Sequence, residues 1–258
     1  MERDLDHLFN RSLRSLKEGA RSVGTVATTN SATAVGVMAR SGLDHVVVDL
    51  QHGEWNERSA THAIRAIALQ GKTPIVRVVS NTYSEIGRAL DIGALAVVVP
   101  LVNNAAEARD AVTAMRYPPL GRRSVSKPLA VHYPPEYWKR ANEELMLIVQ
   151  IESPEAIDNA EEIAAVAGID AVMAGPTDIW FSTGSPIGSR EHNSAMRRIL
   201  EACRSAGVVP GTFAPTAELA GKWLDDGFLL LTVSTDLEVL AAGMGQMMRT
   251  VGGPKLVA

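Results

Sequence analysis

Two stretches of the chain end in carboxylates at positions suited to holding a cation. Leu147-Ile148-Val149-Gln150-Ile151 has the character of a buried strand, interrupted by one amide, and runs straight into Glu152. Ile169-Asp170-Ala171-Val172-Met173-Ala174 repeats the plan and leads into Gly175-Pro176-Thr177-Asp178. Continuous apolar runs of this kind suit parallel strands covered on both faces. The carboxyl ends of such strands are where α/β folds open into ligand sites. Two acidic oxygens delivered from adjacent strand ends can hold one hard divalent ion, with water and substrate oxygens completing the octahedron. A multi-histidine zinc site does not fit, because the six histidines show no clustered spacing.

Other polar residues fall on the same rim. Asp49, Gln51 and His52 follow a second apolar run, and Arg77 follows a third. The Arg77 guanidinium is suited to facing the oxygen of a developing enolate. Proline has no N–H, but the amides of Thr177 and Asp178 are free at the start of a turn or short helix, where such groups bind carboxylates or phosphates. Taken singly, each residue also has an ordinary structural role: Glu152 as a solvated strand end, Arg77 as an ion-pair partner, His52 as a loop histidine. Their convergence on one rim carries the functional reading. His45 stands at the opposite end of its strand and reads as structural.

The elements that must position these residues announce themselves by punctuation. Leu5, Leu8, Phe9, Leu13 and Leu16 recur at three- and four-residue steps and predict an amphipathic helix. Gly19 then precedes a first strand at 23–27. Gly42, Gly71, Gly93, Gly168, Gly207 and Gly227 each precede a further apolar run, and the run at Leu147 completes eight. Glycine just past a helix takes the left-handed conformation that ends it, so helix, glycine, strand is the repeating unit. Helical segments are predicted at 59–69, 84–90, 105–115 and 156–165. Eight alternating units build a parallel sheet that closes into an α/β (β/α)8 TIM barrel. An open doubly wound sheet is the weaker reading, because no Gly-x-Gly-x-x-Gly follows the first strand.

A single domain spanning 1–258 is expected, since about 250 residues is typical of one such barrel. The interval 116–144, rich in proline, is predicted to be broken chain overhanging the strand-end face. The periodic tail from Leu237 to Met248 is predicted to be a helix whose methionine stripe serves core or subunit contact. With 25 basic and 29 acidic side chains the net charge is -4, against a nucleic-acid or anionic-membrane partner. One cysteine, Cys203, excludes an internal disulfide and suits a reducing compartment. The charged amino terminus lacks the apolar core of a signal peptide, and no run approaches the roughly 18 apolar residues of a membrane span. A soluble cytoplasmic protein is the expectation.

Several blocks, in order, resemble the metal-dependent (class II) pyruvate aldolases of the 4-hydroxy-2-oxoheptanedioate aldolase family, also described as the aldolase/citrate lyase family. They are Val48-Asp49-Leu50-Gln51-His52, Pro74-Ile75-Val76-Arg77, Val99-Pro100-Leu101-Val102, Arg116-Tyr117-Pro118-Pro119-x-Gly121-x-Arg123, Val149-Gln150-Ile151-Glu152 and Gly175-Pro176-Thr177-Asp178. The resemblance runs from about Thr25 to Leu240. It implies Glu152 and Asp178 as ligands of Mg²⁺, Mn²⁺ or Co²⁺, with Gln150 beside the substrate. It implies that the carboxylate of a pyruvate unit meets the amides of Thr177 and Asp178 while Arg77 stabilises the enolate oxygen. His52 would transfer protons, oriented by Asp91. A hexamer with exchanged carboxyl-terminal helices is also implied.

The chain departs from the family pattern at Ser124 and Ser126, at Trp180 and at Gln51, which bears on the aldehyde acceptor. Arg122, Arg123 and Lys127, in the interval expected to overhang the pocket, would bind an acceptor bearing a distant anion. The reading is reversible retro-aldol cleavage of a 4-hydroxy-2-oxo acid to pyruvate and an aldehyde, without a lysine Schiff base. Its rivals are a decarboxylase or acyl-CoA ester lyase using the same enolate, and a non-catalytic anion-binding barrel.

Overall fold

The computed structural model describes residues 10–125 and 137–252. Eight strands, β1 (Ser22–Ala27), β2 (His45–Asp49), β3 (Thr73–Arg77), β4 (Ala96–Val99), β5 (Met146–Ile151), β6 (Ala171–Ala174), β7 (Val209–Ala214) and β8 (Leu230–Thr235), pair in parallel and in chain order. Strand β8 pairs back onto β1, so the sheet closes into the expected barrel. The helices are α1 (Arg11–Lys17), α2 (Ala32–Ala39), α3 (Glu57–Leu69), α4 (Tyr83–Asp91), α5 (Ala105–Met115), α6 (Tyr137–Glu144), α7 (Pro154–Asp158), α8 (Ala160–Ala164), α9 (Pro176–Thr183), α10 (Arg190–Ala206), α11 (Ala217–Asp226) and α12 (Asp236–Thr250). All seven glycines of the repeating unit have positive φ, as the helix–glycine–strand reading requires.

Alternation along the strands sorts the core into two layers. Val46, Val48, Val97, Val99, Leu147, Val149 and Ile151 point outward and pack under the helices. Val47, Ile75, Val98, Met146, Ile148 and Met173 point inward and fill the barrel, joined from below by Leu13 and Leu16 of α1. On the described residues α1 therefore acts as a plug. Its Ser12 N–H donates to Thr73 Oγ1 at 3.1 Å, and the side-chain amide of Asn10 donates to Leu95 O at 3.0 Å. Leu5, Leu8 and Phe9 of the predicted helix lie outside the described residues.

The interval 116–144 departs from expectation in two ways. It contains a helix, α6, and it follows α5 rather than β4. Helix α5 carries the chain back down the outside of the barrel, so the interval begins at the end where strands start. Arg116 marks the place: its guanidinium donates to the carbonyls of Asn142, Leu145 and Gly168 and to Asp170, all preceding β5 or β6. Arg116 and the segment 142–145 thus lie at the end where strands start, which corrects the prediction that the interval begins over the strand-end face, while Arg122 and Ser124 run along α4 to meet the Tyr83 hydroxyl in its first turn. Helix α12 buries only Gly245 and leaves Leu240, Met244 and Met247 exposed, so its methionine stripe is not part of this chain's core. Among the described residues no helix is long and apolar enough to cross a membrane.

Candidate active site

On β2 and β3 the inward line passes from a polar group at the bottom, through apolar packing, to a charged group at the top, and on β5 an apolar line ends in polar groups at the top. On β2 these are His45, Val47 and Asp49; on β3, Thr73, Ile75 and Arg77. On β5 the line is Met146, Ile148 and Gln150, reaching Glu152 just beyond the strand. The carboxyl end of the barrel therefore gathers Asp49, Arg77, Gln150 and Glu152 into one mouth.

Arg77 and Asp49, paired in register on adjacent strands, form a two-point ion pair. Arg77 Nε donates to Asp49 Oδ1 at 2.8 Å and Nη2 donates to Oδ2 at 2.6 Å, with Asp49 almost wholly buried. A planar guanidinium held at two points cannot swing, so its charge has a fixed direction. Burial works to lower the Arg77 pKa, but Asp49, and beyond it Glu152 and Asp178, raise it above the ordinary value. The influence of all three carboxylates on one guanidinium brings the predicted group together.

Glu152 is buried and held from two sides. Leu101 N–H donates to its Oε1 at 2.8 Å, and the Gln150 amide donates to its Oε2 at 2.5 Å. Burial pushes its carboxyl up to about 7; the Leu101 N–H opposes this, the charge and hydrogen bond of Asp178 add to it, and Arg77 opposes it again. Two carboxylates crowded in this way are short of positive charge. Gly175 makes room for the crowding: a Cβ there would lie 2.9 Å from Glu152 Oε2 and 2.9 Å from Gln150 Nε2. Leu101 reaches Glu152 from a backbone with φ 53, a left-handed conformation that costs energy outside glycine. Sequence reasoning missed both supports, although both stand in blocks that carry the family resemblance.

Helix α9 starts at Pro176 with no side-chain cap, and Ile179 N–H is the first to find the carbonyl of Gly175. The N–H groups of Thr177 and Asp178 thus sit in an uncapped first turn, where the helix dipole favours an anion. His192 of α10 steadies this turn from behind, its Nε2 3.0 Å from Pro176 O. Gln150 offers a further group, since its buried Oε1 has no hydrogen-bond partner among the described residues.

Three predicted residues are not brought into this group within one chain. His52 stands exposed in the loop after β2, and its ring makes no hydrogen bond among the described residues. Asp91 ends α4 and accepts from Arg123 Nη2 at 3.2 Å. Because each helix runs back against the strands, its last residue lies at the opposite end of the barrel from His52. The expected His52–Asp91 pair is therefore not made within the chain. Arg123 is buried over the Tyr117 ring, with 4.7 Å to the ring centroid, and does not reach the carboxylate mouth of its own chain. Arg122 lies over Tyr83, and Lys127 lies outside the described residues.

The donor set fits a hard divalent ion: two carboxylates, one of them driven toward its protonated form by its neighbour and by burial. Among the described residues no group of three or more His, Cys, Asp or Glu is arranged around one point. An ion held here takes the rest of its shell from water and substrate, as Mg²⁺-type ions do.

The family model described as HpcH/HpaI aldolase/citrate lyase matches residues 24–242. The chain is 35% identical over 255 residues to a 2-dehydro-3,6-dideoxy-6-sulfogluconate aldolase of Pseudomonas putida, covering 94% of this chain and 98% of that protein. It is 34% identical over 248 residues to a 4-hydroxy-2-oxo-heptane-1,7-dioate aldolase of Salmonella arizonae, covering 93% and 94%. Among solved structures, an HpcH/HpaI aldolase/citrate lyase family protein from Burkholderia cenocepacia superposes with a TM-score of 0.89 at 30% identity, covering 95% of this chain and 100% of that one.

Proposed function

The chain belongs to the HpcH/HpaI aldolase/citrate lyase family, and from that premise we propose that it cleaves a 4-hydroxy-2-oxo acid into pyruvate, or a close analogue, and an aldehyde. It is an enzyme of the carbon–carbon lyase class. The observation that carries the reading is the fixed Arg77 charge aimed among Glu152, Asp178 and Asp49.

In the cleavage direction the 4-hydroxyl gives up its proton, the C3–C4 bond breaks to release the aldehyde, and its electron pair becomes the enolate of pyruvate. Protonation at C3 completes the reaction. Glu152 and Asp178 would hold the ion, Mg²⁺, Mn²⁺ or Co²⁺, which supplies Lewis acidity toward the 2-oxo group when bound. Arg77 faces the same oxygen and stabilises charge that develops in the transition state and is absent from the bound substrate. The amides of Thr177 and Asp178 bind the substrate carboxylate, and the free Gln150 Oε1 supplies a further contact. His52 takes the 4-hydroxyl proton, a role suited to an imidazole side chain, which can both accept and return a proton. The exposed apolar face of α12 supports self-association of this chain, and the hexamer that the resemblance implies is testable by sedimentation.

The test is pyruvate release from a panel of 4-hydroxy-2-oxo acids. Activity should vanish with a chelator and return with Mg²⁺, Mn²⁺ or Co²⁺, and borohydride with pyruvate should leave every lysine unmodified. Full turnover by protein shown metal-free by elemental analysis would sink the reading. Oxaloacetate decarboxylation, which reaches the same enolate without a base, separates the residues. Arg77→Ala should suppress both reactions, whereas His52→Ala should lower cleavage by about 10²–10⁴-fold and retain most decarboxylation.

A further inference from the structure

The His52 loop is anchored through its backbone and one tryptophan, and both anchors lead to the end of β1. Trp55 Nε1 donates to Ala27 O at 2.8 Å, and Glu54 N–H donates to Thr28 O at 2.8 Å. Gly53 allows the close approach: a Cβ there would lie 2.4 Å from Asp49 O and 3.0 Å from Thr28 O. His52 is thus held on one side by β2, where Gln51 N–H donates to Asp49 Oδ1 at 3.0 Å and Gly53 N–H to Asp49 O at 3.1 Å, and on the other by the segment carrying Ala27, Thr28 and Thr29.

That segment is held in turn by one carboxylate from the far side of the barrel seam. Asp236, the first residue of α12, accepts from the Thr28 N–H at 2.9 Å and the Thr28 hydroxyl at 2.5 Å through Oδ1. Its Oδ2 accepts from the Thr29 N–H at 3.0 Å and the Thr29 hydroxyl at 2.5 Å. Burial works to raise the Asp236 pKa, but these hydrogen bonds hold the carboxyl below its ordinary value. The chain departs from a regular ladder to reach this arrangement. The β1–β8 register shifts between Gly24 and Val26, and Ser234 adopts φ 56. Four hydrogen bonds from Thr28 and Thr29 to one carboxylate, which also accepts from the Leu237 N–H at 3.1 Å, make a clamp where β8 meets β1 that no step of the reaction above employs.

We propose that Asp236 is a positioning residue for His52, acting through Thr28 and Thr29 on the loop that Glu54 and Trp55 tie to them. The inference rests on the reading of His52 as the proton-transfer group. Asp236→Ala removes all four contacts to Thr28 and Thr29. Asp236→Asn keeps the Oδ1 side but turns an amide NH₂ toward the Thr29 N–H.

The experiment measures cleavage of a 4-hydroxy-2-oxo acid and decarboxylation of oxaloacetate in wild type, Asp236→Ala, Asp236→Asn, His52→Ala and the double variant Asp236→Ala/His52→Ala, all saturated with Mn²⁺. Misplacing a catalytic group by about 1 Å can cost about 10²-fold, so Asp236→Ala should lower kcat for cleavage by roughly 10- to 10²-fold, with KM little changed. Asp236→Asn should lose less. Decarboxylation should persist in both, which also shows that the barrel is folded and loaded. In the His52→Ala background, Asp236→Ala should add no further loss, because the residue it positions is gone. Equal losses in both reactions, or full additivity with His52→Ala, would overturn the proposal. Thr29→Val, which removes one hydroxyl donor, provides a milder variant expected to show the same split. If His52→Ala itself cleaves at the wild-type rate, the role of His52 fails and takes this proposal with it; a loss in His52→Ala with none in Asp236→Ala refutes this proposal alone.

Discussion

Between about pH 7.5 and about pH 5, the buried imidazole of His45 should draw stability out of the barrel, because the unfolded chain takes up a proton there that the folded chain refuses. His45 is fully enclosed between Ser22 Oγ, 2.9 Å from its Nδ1, and Thr232 Oγ1, 3.2 Å from its Nε2. Burial lowers its pKa from 6.5 to about 3. At the upper pH both states are neutral and the group contributes nothing. As the pH falls below 6.5 the unfolded state binds the proton and the folded state does not, so stability declines down to about 3. At pH 5 the gap below the unfolded value is about 1.5 units, and at about 1.36 kcal/mol per unit the loss is about 2 kcal/mol. The comparison is His45→Gln, which keeps a donor and an acceptor between the two hydroxyls but does not titrate. Urea unfolding of both proteins at the two pH values, at one protein concentration, isolates the His45 contribution as a difference of differences. Equal pH dependence in the two proteins, or a folded-state His45 resonance titrating near 6.5, would refute the argument.

Two substitutions in the mouth of the barrel test its geometry. Gly175→Ala should fold but bind Mn²⁺ more weakly by at least about tenfold, because the new methyl meets Glu152 Oε2 and Gln150 Nε2 at 2.9 Å; unchanged affinity by calorimetry would contradict the packing. Asp49→Asn should retain Mn²⁺ binding and lose on the order of 10²-fold in kcat, because the Arg77 guanidinium loses its two-point anchor; wild-type turnover would show that Arg77 needs no such support.

The barrel was legible because its signals are local. Glycines ending helices and apolar runs starting strands repeat with a period that packing does not override, and all seven glycines of that pattern have positive φ. The carboxylate pair was legible for the same reason, since Glu152 and Asp178 follow two of those runs directly. The start of the interval, at Arg116, was misplaced because prolines mark a break in the chain but not the end of the barrel at which the break falls. That depends on whether the preceding helix has already returned, and α5 has. Asp91 was assigned to His52 on family grounds, whereas its position at the end of α4 carries it to the opposite face. Leu101 escaped notice because it acts through a backbone N–H, which no side-chain motif reports.

A stronger signal lay unused in the strand sequences. Because side chains alternate, His45, Val47 and Asp49 share one face of β2, and Thr73, Ile75 and Arg77 share one face of β3. Both triplets read polar, apolar, polar, and both point inward. The apolar member fills the barrel, the first polar member joins the closed network around Ser12, Ser22 and Thr232, and the last faces the open mouth. Histidine and carboxylate identity therefore say little by themselves here: His45 is silenced by full burial, while Asp49, two pleats further along the same strand, anchors a charged arginine. The direction of the strand decides which polar residue does chemistry. In a parallel barrel every strand points the same way, so one end is committed to packing and the other is left to assemble the site.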